Sequence, residues 1–146
     1  MSIYLDHAAA TPVDPDVFTA MQPYFSDIFY NPSSPYAPAV QVRRDYEAAK
    51  SEIASVIGAK SGELIMTAGA TESINLAFSG ANGHVVTTTI EHPAVLAAAA
   101  RHDHTLVDVD KNGRVNPDDI EKAIRSDTSL VSIGLANSEI GTVQPL

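Results

Sequence analysis

Three short segments of the chain combine small, polar and ionisable residues in ways that could serve a bound ligand. They are Thr67-Ala68-Gly69-Ala70-Thr71-Glu72-Ser73, Ile90-Glu91-His92-Pro93 and Ala136-Asn137-Ser138-Glu139. In the first, a β-like run gives way to Gly69 and then to a helix-like run. The opening N–H groups of a helix lack intrahelical acceptors, and the helix dipole favours an anion beside them. Ala70 and Thr71 can therefore cup a phosphate, with the Thr71 hydroxyl as a further donor and Gly69 allowing close approach. Each hydrogen bond to a charged group is worth about 1.5–3 kcal/mol. The same residues also suit an ordinary strand-to-helix turn capped by Thr.

His92 opens a second helix-like run. The positive end of a helix favours a neutral imidazole, which can stack on a ring or relay a proton. A polar residue facing solvent would also fit there. His7, His84, His102 and His104 stand in no comparable setting, and no third ligand accompanies the His102/His104 pair, so no metal site is expected. Residues 108–119 have the spacing of a calcium loop: Asp108, Asp110 and Asn112, then Gly113, then Asp119 at the last position. That last position calls for a bidentate Glu, and the loop should follow a helix, whereas Thr105-Leu106-Val107 is strand-like. A turn at Asn112-Gly113 and a helix capped by Asn116, with Pro117 first, accounts for the same residues.

These segments need a scaffold, and the chain of 146 residues is long enough for one core. A composition 45% hydrophobic and 18% charged is that of a globular protein. The net charge of −9, with Lys and Arg scattered apart from Arg43-Arg44, excludes a nucleic-acid surface. No apolar run approaches the roughly 18 residues of a membrane span. The start, Met1-Ser2-Ile3-Tyr4-Leu5-Asp6, lacks a signal peptide's basic flank, so a cytoplasmic location is expected. With no Cys, these residues hold no disulfide and no thiol nucleophile.

Ile3-Tyr4-Leu5 reads as a short strand. Asp14 then caps a helix that Pro23 ends or kinks, and a Pro- and Ser-rich loop covers 30–38. A helix is expected over 39–57, with Val42, Tyr46, Ala49, Ile53 and Val56 as its apolar stripe and Gly58 as its stop. Strands over 64–67, 84–88, 105–109 and 130–133 alternate with helices over 70–79, 93–101 and 117–126. Short apolar runs each followed by a helix predict an α/β fold, a three-layer αβα with a mainly parallel sheet. The three polar segments would then gather along one sheet edge, where such folds bind ligands.

Taken together, Tyr4-Leu5-Asp6-His7-Ala8-Ala9-Ala10-Thr11-Pro12, Asn31-Pro32-Ser33-Ser34, the segments at 67–73 and 91–92, Asp127-Thr128-Ser129-Leu130-Val131-Ser132 and Ala136 to Gln144 resemble the class V aminotransferases. Within them they are most similar to the cysteine desulfurases, pyridoxal-phosphate enzymes of fold type I. The resemblance implies an incomplete large domain over 14–146 and an arm over 1–13 that would pack with a small domain. It implies that Ala70 and Thr71 bind the cofactor phosphate and that His92 stacks on the pyridine ring and assists proton transfer. The family's Asn that contacts the ring hydroxyl falls at Ser138, beside Asn137, and both are candidate cofactor contacts.

The implied reaction converts L-cysteine to L-alanine and leaves sulfur as an enzyme persulfide for an acceptor such as an iron–sulfur scaffold, in a homodimer. The family's Schiff-base Lys and catalytic Cys are expected outside these residues, because Lys50, Lys60, Lys111 and Lys122 lack the family's His-Lys setting. Residues 1–146 alone are therefore expected to be inactive. Alternatives are the partner half of a split pyridoxal-phosphate enzyme, a scaffold, or a calcium-binding module at 108–119.

Overall fold

The computed structural model describes residues 3–145. They form two compact units, one up to residue 66 and one from residue 67.

The first unit is helical. Helix α1, Pro15–Met21, starts where Asp14 accepts the N–H groups of Asp16 and Val17. Pro23, which has no N–H to continue the ladder, opens the four-residue α2, Pro23–Ser26. The long α3, Ala37–Val56, begins two residues earlier than the sequence predicts and ends one residue earlier, before Ile57 and Gly58 at φ 72°. Its buried residues are Ala39 and Ala54, while Tyr46, Ile53 and Val56 of the expected stripe are exposed. A short 3-10 turn follows at Ser61–Glu63, where the Glu63 carboxylate accepts the Lys60 N–H.

Two expected strands do not form. Ile3-Tyr4-Leu5 pairs with nothing among the described residues. The Tyr4 hydroxyl instead donates to the carbonyls of Asp6 and Ala10 and folds the segment on itself. Residues 64–67 likewise form no ladder. A strand exists only where a neighbour supplies complementary N–H and C=O groups, which an apolar run cannot guarantee.

The second unit is a parallel sheet covered on both faces. Helix α4, Ala70–Ser79, leads to β1, His84–Thr88; α5, Pro93–Ala99, leads to β2, His104–Val107; α6, Pro117–Ala123, leads to β3, Thr128–Ser132. The strand order is β2-β1-β3, all parallel, with Val85 opposite His104 on one side and Leu130 on the other. Every residue of β1 is buried. Its alternating side chains serve two cores. Val85 packs with Phe78 of α4 and Val95, Ala98 and Ala99 of α5, whereas Val86 packs with Val107, Val115 and Ile120 of the α6 side. This is the expected αβα layering, and the bounds of α4 and β1 match the sequence reading.

Two side-chain devices lock the sheet. A Cβ on Gly83 would lie 2.2 Å from the Asp127 carbonyl oxygen, so only glycine admits the close approach ahead of β3. The buried His84 ring bridges all three strands, with Nδ1 2.8 Å from Thr128 Oγ1 and Nε2 2.8 Å from Thr105 Oγ1. Thr128 Oγ1 also accepts the Arg125 N–H. Among the described residues no helix is long and apolar enough to cross a membrane.

Candidate active site

The chain leaves β1 for β2 on one side of the sheet and later arrives at β3 on the other. The carboxyl ends of β1 and β3 therefore flank a topological switch point, where open α/β sheets bind ligands. A cavity of about 290 Å³ lies there, and its lining includes Glu91, His92, Gly134, Asn137 and Ser138. Two of the three segments singled out in the sequence meet in it.

His92 is the N-cap of α5, and its Nδ1 accepts the Ala94 N–H at 3.1 Å. A ring nitrogen that accepts holds its lone pair there, so the neutral ring carries its proton on Nε2. The imidazole is exposed, and one N–H remains to be offered to a ligand.

Asn137 and Ser138 divide their expected roles unequally. Both ends of the Asn137 amide are engaged within the protein. Nδ2 donates to the Ile90 carbonyl at 2.9 Å, and Oδ1 accepts the N–H groups of Glu139 and Ile140. Asn137 thus shapes the loop, while the exposed Ser138 is left facing the cavity. Glu91 fastens the same two loops: its Oε1 accepts the Thr88 hydroxyl at 2.8 Å and the Gly134 N–H at 3.0 Å. Sequence reading placed Glu91 in a polar segment without a role, because Gly134, its partner, lies 43 residues away.

Ala70 and Thr71 are not among the residues lining this cavity. They open α4, whose N-cap Gly69 supplies no side-chain cap. The N–H groups of Ala70, Thr71 and Glu72 have no partner among the described residues, and the Glu72 carboxylate is turned back onto the Ala68 N–H. The space where a Gly69 Cβ would sit is open to 4 Å. The turn thus presents free donors and room beside them.

The chain matches the family model Aminotransferase class-V over residues 3–146. It belongs to that family. Among curated relatives, Cysteine desulfurase IscS of Dictyoglomus turgidum is 42% identical over 99% of this chain and 40% of its own length. Putative cysteine desulfurase IscS 1 of Bacillus subtilis is 43% identical over 99% of this chain and 41% of its own. A solved structure named "NIFS-LIKE PROTEIN" superposes with a TM-score of 0.92 at 34% identity, and one named "SspA in complex with cysteine" with 0.95 at 37%. Those two matches cover 99% of this chain and 43% and 45% of the solved chains. The chain thus spans less than half the length of these relatives.

The family also decides against the calcium-module reading of 108–119. The Asp110 carboxylate accepts the N–H groups of Asn112 and Arg114, and those bonds, Arg114's first, hold its pKa below the usual carboxylate value. The strand β2 precedes the loop where a calcium site needs a helix, and no metal-holding cluster of His, Asp or Glu occurs among the described residues.

Proposed function

We propose that residues 1–146 contribute the phosphate cup and the ring-stacking histidine of a pyridoxal-phosphate cysteine desulfurase. One observation carries this reading: His92 heads a helix and shares the switch-point cavity with Ser138. The donor set fits the cofactor. Free N–H groups at Ala70 and Thr71, with an open space beside Gly69, suit a phosphate dianion.

The Thr71 hydroxyl adds a donor to that cup. The His92 ring, held by the Ala94 N–H, offers a flat face for a pyridine ring and an Nε2 proton for relay. Ser138 stands where the family has Asn, and its hydroxyl reaches less far toward a ring hydroxyl than an amide would. When bound, pyridoxal phosphate supplies the electron sink for chemistry at the amino acid's α carbon. The substrate is L-cysteine, the products are L-alanine and protein-bound sulfur for an acceptor protein, and the working form is a homodimer. Residues 1–146 contain no Cys, so the sulfur-accepting thiol comes from outside them.

A chimera tests this reading: residues 1–146 replace the matching segment of the Dictyoglomus turgidum relative. The chimera should form alanine from L-cysteine with pyridoxal phosphate bound. A soluble, cofactor-loaded chimera that forms none would overturn the reading.

A further inference from the structure

Glu91 sits directly before His92, and its carboxylate makes no hydrogen bond to that ring or to Ser138. Its carboxylate instead joins the two loops, accepting the Thr88 hydroxyl at the end of β1 and the Gly134 N–H beyond β3. Gly134 leaves room for it: a Cβ there would lie 3.0 Å from Glu91 Oε2, and the carboxylate would have to give by a few tenths of an ångström. Thr88 is fully buried, and its hydroxyl has Glu91 as its partner. A second tie, Asn137 to the Ile90 carbonyl, crosses the same gap one residue earlier. The loop carrying His92 and the loop carrying Ser138 are thus fastened at consecutive residues, 90 and 91. His92 follows directly, held on its other side by the Ala94 N–H.

We propose that Glu91 is the positioning residue of this site: by clamping Thr88 to Gly134 it fixes the His92 ring relative to Ser138. The proposal rests on the pyridoxal-phosphate reading for its purpose, though the clamp itself can be read without cofactor. An acceptor oxygen is what the clamp requires. Oε1 takes both bonds, so an amide in its place keeps them, while a methyl loses both and leaves the buried Thr88 hydroxyl without a partner.

The test uses the full 146-residue chain labelled with nitrogen-15, as wild type, Glu91→Ala, Glu91→Gln and Thr88→Val. Long-range proton–nitrogen spectra report the His92 tautomer, and amide spectra of β1 and β3 report whether the sheet survives. In wild type His92 should show one tautomer, with its proton on Nε2. Glu91→Ala should loosen the residue before His92 and weaken the Ala94 N–H to Nδ1 bond that sets the tautomer. The ring should then shift toward a tautomer mixture, and pyridoxal-phosphate binding should weaken by roughly tenfold, the worth of one hydrogen bond to a charged group. Glu91→Gln should restore both. If Glu91→Ala unfolds the sheet, Thr88→Val, which keeps the buried shape, should show the same tautomer change in a folded chain. An unchanged His92 tautomer and unchanged affinity in folded Glu91→Ala or Thr88→Val would overturn the proposal. If wild type binds no pyridoxal phosphate while the tautomer still responds, the clamp stands and the cofactor reading falls.

Discussion

The Asn137 side chain donates to the Ile90 carbonyl at 2.9 Å, tying the loop after β3 to the residue two before His92. Its Oδ1 simultaneously caps the Glu139 and Ile140 N–H groups. Asn137→Ala should therefore free three backbone groups at once. Because these groups are partly exposed, the loss should be about 1–2 kcal/mol, measured by urea unfolding. Asn137→Asp keeps the two acceptor bonds and loses the donor, and should fall between Ala and wild type. An Ala variant as stable as wild type would remove the tie from the site's architecture.

His92 has two duties that one substitution can separate. As N-cap it accepts the Ala94 N–H, and in the proposed function its imidazole would present Nε2 to the cofactor. Asn is a good N-cap without a ring. In the chimera described above, His92→Asn should leave the melting temperature near wild type and lower turnover by about 10²–10⁴-fold, the usual cost of losing an acid–base group. Near-normal turnover would reduce His92 to a capping residue.

Away from the cavity, Arg125 reaches across to Asp103 and Asp127. The Arg125 hydrogen bond is the main cause that holds the Asp103 pKa below its ordinary 3.8. A lowered folded-state pKa means this contribution is complete above the ordinary value and is lost as pH falls through the folded one. Arg125→Gln should move the Asp103 carboxyl midpoint upward in a carbon-13 titration. Both groups are solvent-exposed, so the change in stability at neutral pH should be small. A midpoint that does not move would contradict the pairing.

Calcium should not stabilise the chain, since Asp110 Oδ1 already accepts the Asn112 and Arg114 N–H groups and a strand, not a helix, precedes the loop. Thermal unfolding with and without millimolar calcium should give the same midpoint. A rise abolished by Asp108→Ala would reinstate a metal site at 108–119.

The second unit was more legible in the sequence than the first. Gly69 and Gly80 bracket α4, and Gly83 precedes the continuous apolar and threonine run of β1, so local signals and tertiary structure agree there. The missing strands at Ile3-Tyr4-Leu5 and 64–67 depended on partners that a local run does not reveal. His92 was visible because Pro93 marks a helix start. His84 was not, since its two threonine partners lie 21 and 44 residues away. Gln144 was passed over for the same reason. Its buried amide accepts the Val115 N–H and donates to the Gly113 carbonyl, docking the Ser138 loop on the turn after β2. Polar residues that fasten loops carry no periodic pattern, so chemistry-bearing residues were easier to find than those that hold them.

The most direct measurement is a titration of the nitrogen-15-labelled chain with pyridoxal phosphate, read at the Ala70 and Thr71 amides and the His92 ring. The phosphate cup and the ring site should respond together and saturate at one concentration. Inorganic phosphate should reproduce the Ala70 and Thr71 shifts and leave His92 where it was. Pyridoxal phosphate that perturbs only the surroundings of Lys50, Lys60, Lys111 or Lys122, with Ala70, Thr71 and His92 unmoved, would contradict the proposed site.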